Sequence, residues 1–149
     1  MKNIFIRIAF LILIFHCYSV TAQYQKTDLT GKWELDYNVT SKSMESDVKI
    51  TFNSLPETQR SVIEKTYKGR QMIFMKDNVF ELKLSDGRSS TGKWELNPDQ
   101  KVLKIKNEKA NKEYLYKIVE LTNKTLVIEE LDAKGKGYFK KLHFIKSKN

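Results

Sequence analysis

Any catalysis by this chain would have to run through very few side chains. Of its two histidines, His16 falls in an apolar N-terminal stretch, which leaves His143 as the imidazole of the remaining chain. The single cysteine, Cys17, falls in the same stretch, so beyond it no thiol can act as nucleophile. A Ser or Thr nucleophile would need His143 as its base. That residue stands between Leu142 and Phe144, and strand alternation with two inward neighbours predicts a solvated histidine on an outer face. One histidine also falls short of the ligand set of a zinc site. Carboxylates offer another route, because Glu34 and Glu95 each follow a tryptophan, Trp33 and Trp94. If both tryptophans face inward, both carboxylates face outward into a surface pattern with Lys32 and Lys93, not into an acid–base pair. Gly135 and Gly137 flank Lys136 in a predicted hairpin and do not form a phosphate loop. The expectation is a protein without catalysis, cofactor or metal.

What the sequence supplies instead is alternating apolar surface, and the elements that carry it follow from their period. From Gln71 onward, period-two runs alternate with turn signals: Gln71–Lys76, Val79–Ser85, Arg88–Leu96, Lys101–Lys106, Glu113–Leu121, Thr125–Leu131 and Tyr138–Ile145. The turns include Asp77-Asn78, Asn97-Pro98-Asp99 and Asp86-Gly87, the last a strong signal for a primed hairpin turn. Such spacing, roughly 8–12 residues per strand, is that of an antiparallel barrel or sandwich. Leu29–Tyr37 adds a strand upstream, with Trp33, Leu35 and Tyr37 on one face. Between them, Ser54-Leu55-Pro56-Glu57 has capping-box spacing, Leu55, Val62, Ile63 and Tyr67 recur at helical intervals, and Gly69 is a stop. This predicts one inserted helix over 55–68. Val48, Ile50 and Phe52 alternate as a further short strand would. The predicted inward set is Phe80, Leu82, Leu84, Trp94, Leu96, Leu103, Ile105, Tyr116, Ile118, Leu126, Ile128, Leu142 and Phe144.

Residues 1–22 read as a secretory signal peptide. Lys2 and Arg7 provide the basic start, Ile8–Phe15 the apolar run, and Val20-Thr21-Ala22 the cleavage positions before Gln23. A membrane-spanning helix wants about 20 apolar residues, more than this run offers. A lipid-modified cysteine wants a small residue before it, whereas Phe15-His16 precede Cys17. The expected products are an exported protein, periplasmic or secreted, and a single domain over residues 23–149 with no transmembrane segment. Without disulfides it must rest on its core, for which a 40% hydrophobic and 11% aromatic composition suffices.

Thr30-Gly31-Lys32-Trp33-Glu34-Leu35 recurs letter for letter as Thr91-Gly92-Lys93-Trp94-Glu95-Leu96, while the flanking stretches differ. This is a recurring local solution, a strand that starts at a tight glycine and buries a tryptophan. Gly31-Lys32-Trp33 resembles the Gly-x-Trp signature of lipocalins and fatty-acid-binding proteins. With the second copy and the strands after it, the chain from Leu29 to Ile145 resembles the short lipocalin-like domain of bacterial secreted proteins, a calycin-type barrel. The resemblance implies an all-β, eight-stranded antiparallel up-and-down barrel with one inserted helix after the first strand. In that superfamily the tryptophan closes one barrel end, which gives Gly31, Trp33, Gly92 and Trp94 structural roles. Larger lipocalins place an Arg of the last strand over the tryptophan; this chain has none after Arg88, and Lys140 or Lys141 would be a partial substitute. In fatty-acid-binding proteins the insertion after the first strand forms a lid.

Two functions of different class follow. The resemblance implies a carrier that holds a small apolar ligand without catalysis. Its cavity candidates are Phe80, Leu82, Leu84, Trp94, Leu103, Ile105, Tyr114, Tyr116 and Ile118, with Tyr114 or Tyr116 orienting a polar head. The alternative is a closed, packed barrel that acts through its surface as an envelope-associated protein or glycan interaction module. The many large residues in the inward set favour filling. A net charge of +9, reduced by Lys2 and Arg7 on cleavage, favours weak contact with an anionic envelope surface. Its basic residues are spread along the outer halves of strands, with mild clusters at Lys134–Lys141 and Lys146–Lys148. Nucleic-acid binding would need exposed aromatics among those charges, and most of the aromatics fall on the inward faces.

Overall fold

The computed structural model describes residues 24–131 and 137–147. The signal peptide expected over 1–22, and Lys134, Gly135, Lys136 and Lys148, lie outside these residues. A short helix, α1 (Lys26–Leu29), precedes β1 (Gly31–Leu35). Three helices follow: α2 (Tyr37–Lys42), α3 (Ser46–Ser54) and α4 (Glu57–Tyr67). The meander then runs β2 (Gln71–Phe74), β3 (Val79–Lys83), β4 (Ser89–Asn97), β5 (Val102–Asn107), β6 (Lys112–Leu121), β7 (Thr125–Glu130) and β8 (Lys141–Lys146). Each strand pairs antiparallel with the next, and β8 pairs with β1, so the sheet closes into an eight-stranded barrel. Closure leaves no unpaired edge, and this is what lets a small chain with so much strand stay discrete. Among the described residues, no helix is long and apolar enough to cross a membrane.

The core follows the predicted alternation closely. Trp33, Trp94, Phe74, Phe144, Leu103, Ile118, Leu126 and Ile128 are fully buried, while Glu34 and Glu95 are exposed. Glu95 faces Lys104 across the β4–β5 ladder and not its sequence neighbour Lys93. Leu84 departs from the expected inward set: β3 ends at Lys83, and Leu84 begins the turn, its N–H donating to Arg88 O. In that turn Gly87 has φ +86° while Asp86 does not enter the left-handed region, so it is not the type I′ turn, which needs two positive φ values.

The insertion differs most from expectation. The first strand stops at Leu35 because Asp36 caps α2, its Oδ1 accepting from the Val39 N–H at 3.0 Å. Tyr37, expected on the strand, therefore starts a helix. Residues 48–52, expected as a short strand, lie inside α3, where Phe52 is buried and Ile50 is exposed. A closed barrel offers a strand there no partner, whereas a helix can bury Phe52 against Tyr138 and Phe139 at centroid distances of 5.4 and 6.0 Å. The expected capping box does not form either. Ser54 ends α3 and donates to Thr51 O, and Pro56 takes the N-cap position of α4. Gly69 ends that helix as expected, at φ +71°.

The α2 helix lies on the outer wall of β8. Where β1 has ended, Thr40, fully buried, accepts the His143 N–H through Oγ1 at 3.0 Å and replaces a missing ladder partner. The Asp36 N–H donates to the neighbouring His143 carbonyl.

Candidate functional site

The two ends of the barrel are built differently. At one end α1 closes the opening. Trp33 Nε1 donates to Leu29 O at 2.7 Å, and Trp94 Nε1 donates to Met75 O at 3.0 Å. Phe74 meets the Trp94 ring edge-on, with centroids 5.5 Å apart. Lys146, on the last strand, sets its Nζ 4.8 Å from the Trp33 ring centre and donates to Asp28 O. This is the last-strand cation over the tryptophan, supplied by Lys146 and not by Lys140 or Lys141. Lys140 instead pairs with Glu129 and Glu45 at the opposite end. Lys146 continues the inward phase of Leu142 and Phe144, a signal the sequence did contain.

At the other end the helices cover the mouth. Phe139 is the centre of this cover, with the rings of Tyr37, Phe52 and Tyr67 at 5.8, 6.0 and 4.6 Å. Ser85, in the β3–β4 turn, donates to Lys65 O and ties α4 to the barrel rim. The strand expected from Tyr138 begins only at Lys141 because Tyr138 and Phe139 are drawn into this aromatic cluster.

Beneath the cover lies a cavity of ≈250 Å³. Phe80, Leu82, Ile105, Tyr114 and Tyr116, all expected in a cavity, line it. Trp94, Leu103 and Ile118, also expected there, do not, because they lie deeper in the packed half and are essentially unexposed. Leu84, in the β3–β4 turn, does not line it either. The lining also includes residues absent from that expectation: Met72, Tyr67, Arg70, Glu130 and Phe139. For Arg70 a signal existed, since it stands between the helix stop at Gly69 and the first strand of the meander. The chain re-enters the barrel at that point, so residue 70 must lie at the mouth.

The polar side of the cavity has its own electrostatics. Burial pushes the Tyr116 phenol well above its ordinary range, and the Glu130 carboxylate adds to the effect while Arg70 opposes it. Tyr116 therefore stays a neutral hydrogen-bond donor at any physiological pH. The Arg70 guanidinium stacks on the Tyr67 ring at 4.1 Å. Its Nε is buried and has no hydrogen-bond partner among the described residues.

His143 is on the outer face as predicted, but it is half-buried beside α2 and not freely solvated, and its Nε2 is buried without a partner among the described residues. Burial holds its pKa below the ordinary 6.5, Lys141 lowers it further, and Asp36 and Glu120 act the other way. The unfolded chain therefore takes up this proton before the folded one. Stability is expected to be insensitive to this group above about pH 6.5 and to fall on acidification below it, before most carboxylates titrate. Urea midpoints measured between pH 7.5 and 5 should show this slope, and His143→Gln should flatten it. An unchanged slope in that variant would assign the loss to other groups. Among the described residues, no group of three or more His, Cys, Asp or Glu side chains is placed to hold a metal.

A family model of the lipocalin-like domain matches residues 29–128. Among solved structures, the chain is similar to a DUF4847 family protein from Bacteroides vulgatus, with 13% identity, a TM-score of 0.46, and coverage of 80% of this chain and 94% of that one. No curated protein matches the chain.

Proposed function

Because the chain belongs to the lipocalin-like domain family, we propose that it is an exported, non-catalytic carrier of a small, largely apolar ligand held in the barrel. The carrying observation is the ≈250 Å³ cavity beneath the helical cover, with Phe80, Leu82 and Ile105 as apolar wall and Tyr114 and Tyr116 as polar handles. The volume sits just under the usual range for drug-sized sites of about 300–1,000 Å³, which limits the cargo to a small molecule. Export rests on residues 1–22: a basic start, an apolar run and a cleavage site before Gln23. The expected location is the periplasm or the medium.

Native mass spectrometry of the protein purified from its own host's envelope fraction tests both parts. The expected result is a chain beginning at Gln23 that carries a discrete small-molecule adduct. Leu82→Trp, which fills the cavity from its wall, should remove the adduct and leave the fold intact by circular dichroism. A clean apo mass, with no uptake of added apolar compounds, would instead favour a barrel that works through its basic outer surface.

A further inference from the structure

We propose that the cavity takes a small monocarboxylate, whose acid group pairs with the Arg70 guanidinium while its apolar body lies against Phe80, Leu82 and Ile105. The inference rests on the carrier reading and names the chemistry of its ligand. The Arg70 guanidinium carbon lies 4.1 Å from the Tyr67 ring centre, a cation–π contact that provides its N–H groups with no hydrogen-bond acceptor. Among the described residues its buried Nε has no hydrogen-bond partner, and no carboxylate lies within ion-pair distance of Arg70. A buried cationic N–H left without an acceptor is costly, and a carboxylate meets a guanidinium edge in a planar, bidentate way. Tyr116, kept protonated by its burial, adds a hydroxyl donor on the same cavity wall.

Size and charge narrow the class further. A space of ≈250 Å³ is that of about eight waters at roughly 30 Å³ each, enough for a short aliphatic or single-ring acid. A long acyl tail has nowhere to go, because Trp33, Trp94, Phe74 and Phe144 fill the barrel below. Glu130 is the second formal charge on the cavity wall, opposite Tyr116 in the β6–β7 register. Its negative charge opposes a second anionic group and so selects a monoanion.

Calorimetric titration of the purified full-length protein with matched acid and amide pairs decides the matter: octanoate against octanamide, and 3-phenylpropionate against its amide. The acids should bind about tenfold or more tightly than the amides, the difference expected of a charge-assisted pair. Arg70→Gln should bring each acid down to the level of its amide. Glu130→Gln should tighten the acids several-fold and leave the amides unchanged, which a merely structural role would not do. Should Arg70→Gln fail to fold, the acid–amide ratio in the unaltered protein and the Glu130→Gln response still decide. Equal binding of acid and amide would overturn the anion site and leave the apolar carrier standing, with water meeting Arg70. Binding of neither, together with an empty native mass, would overturn the carrier reading and this inference with it.

Discussion

Gly92→Ala is expected to destabilise the barrel by at least about 3 kcal/mol, at the upper end of overpacking costs, and in the limit to prevent closure. The glycine lies in the middle of β4 with an ordinary negative φ, so left-handed conformation is not what demands it. Contact is. A Cβ built there would overlap the carbonyl oxygen of Lys106 and lie 3.2 Å from Asn107 Cα, both on the paired strand β5. Backbone cannot swing aside as a side chain can, so β4 and β5 would have to separate along a ladder that runs from Gly92–Asn107 to Asn97–Val102. The equivalent glycine of the other hexapeptide provides the control. Gly31 has φ +129°, and its added Cβ would meet the Lys146 Cε at 3.0 Å, the end of a flexible chain. Gly31→Ala should cost about 1–3 kcal/mol through backbone strain. Urea denaturation of the two variants should place Gly92→Ala clearly lower in midpoint; equal midpoints would disprove the backbone-contact argument.

Truncating Trp33 should have the second-largest effect. The side chain is unexposed, and Trp→Ala in a core typically costs about 3–5 kcal/mol. Here the residue also joins three elements. Its indole N–H meets Leu29 O in α1, its strand pairs with β2 and β8, and Lys146 of β8 lies over the ring. Trp33→Phe keeps apolar bulk and removes the donor, leaving the carbonyl of a fully buried residue without its partner, at about 1–3 kcal/mol. Lys146→Met keeps the stem over the ring and removes the charge, and should cost no more than about 1 kcal/mol. Thermal unfolding should rank the three as Trp33→Ala, Trp33→Phe, Lys146→Met. A Lys146→Met loss as large as that of Trp33→Ala would mean that the cation, not the packed indole, holds this end closed.

Barrel and ligand site were unequally legible in the sequence. Period two decides which face of a strand a side chain takes, and the turn residues decide where strands end. Most of the meander, from Gln71 to Glu130, could therefore be read within a few residues, and so could the outward direction of Glu34, Glu95 and His143. Gly-x-Trp marked both tryptophans as core. Face, however, is not depth. Phe80 and Trp94 share the inward side, yet Phe80 borders the cavity and Trp94 packs the closed end, because strand tilt and stagger set the height of each residue along the barrel axis.

Closure was decisive elsewhere too. Val48, Ile50 and Phe52 carry strand alternation, but with β1 paired to β8 no edge was left for them, and a helix that buries Phe52 won. Leu84 was lost from the core to a turn one residue earlier than alternation allowed. His143 was turned from a solvated side chain into a half-buried one when Asp36 and Thr40 brought α2 onto β8. Arg70 and Phe139, which give the cavity its charge and its cover, show no period of their own. Their roles arise from contacts between segments far apart in the chain. The sequence by itself determined the faces, the turns and the two tryptophan anchors. The tertiary structure alone decided which inward residues surround empty space, since a void is a property of how all eight strands and the helices meet, not of any one of them.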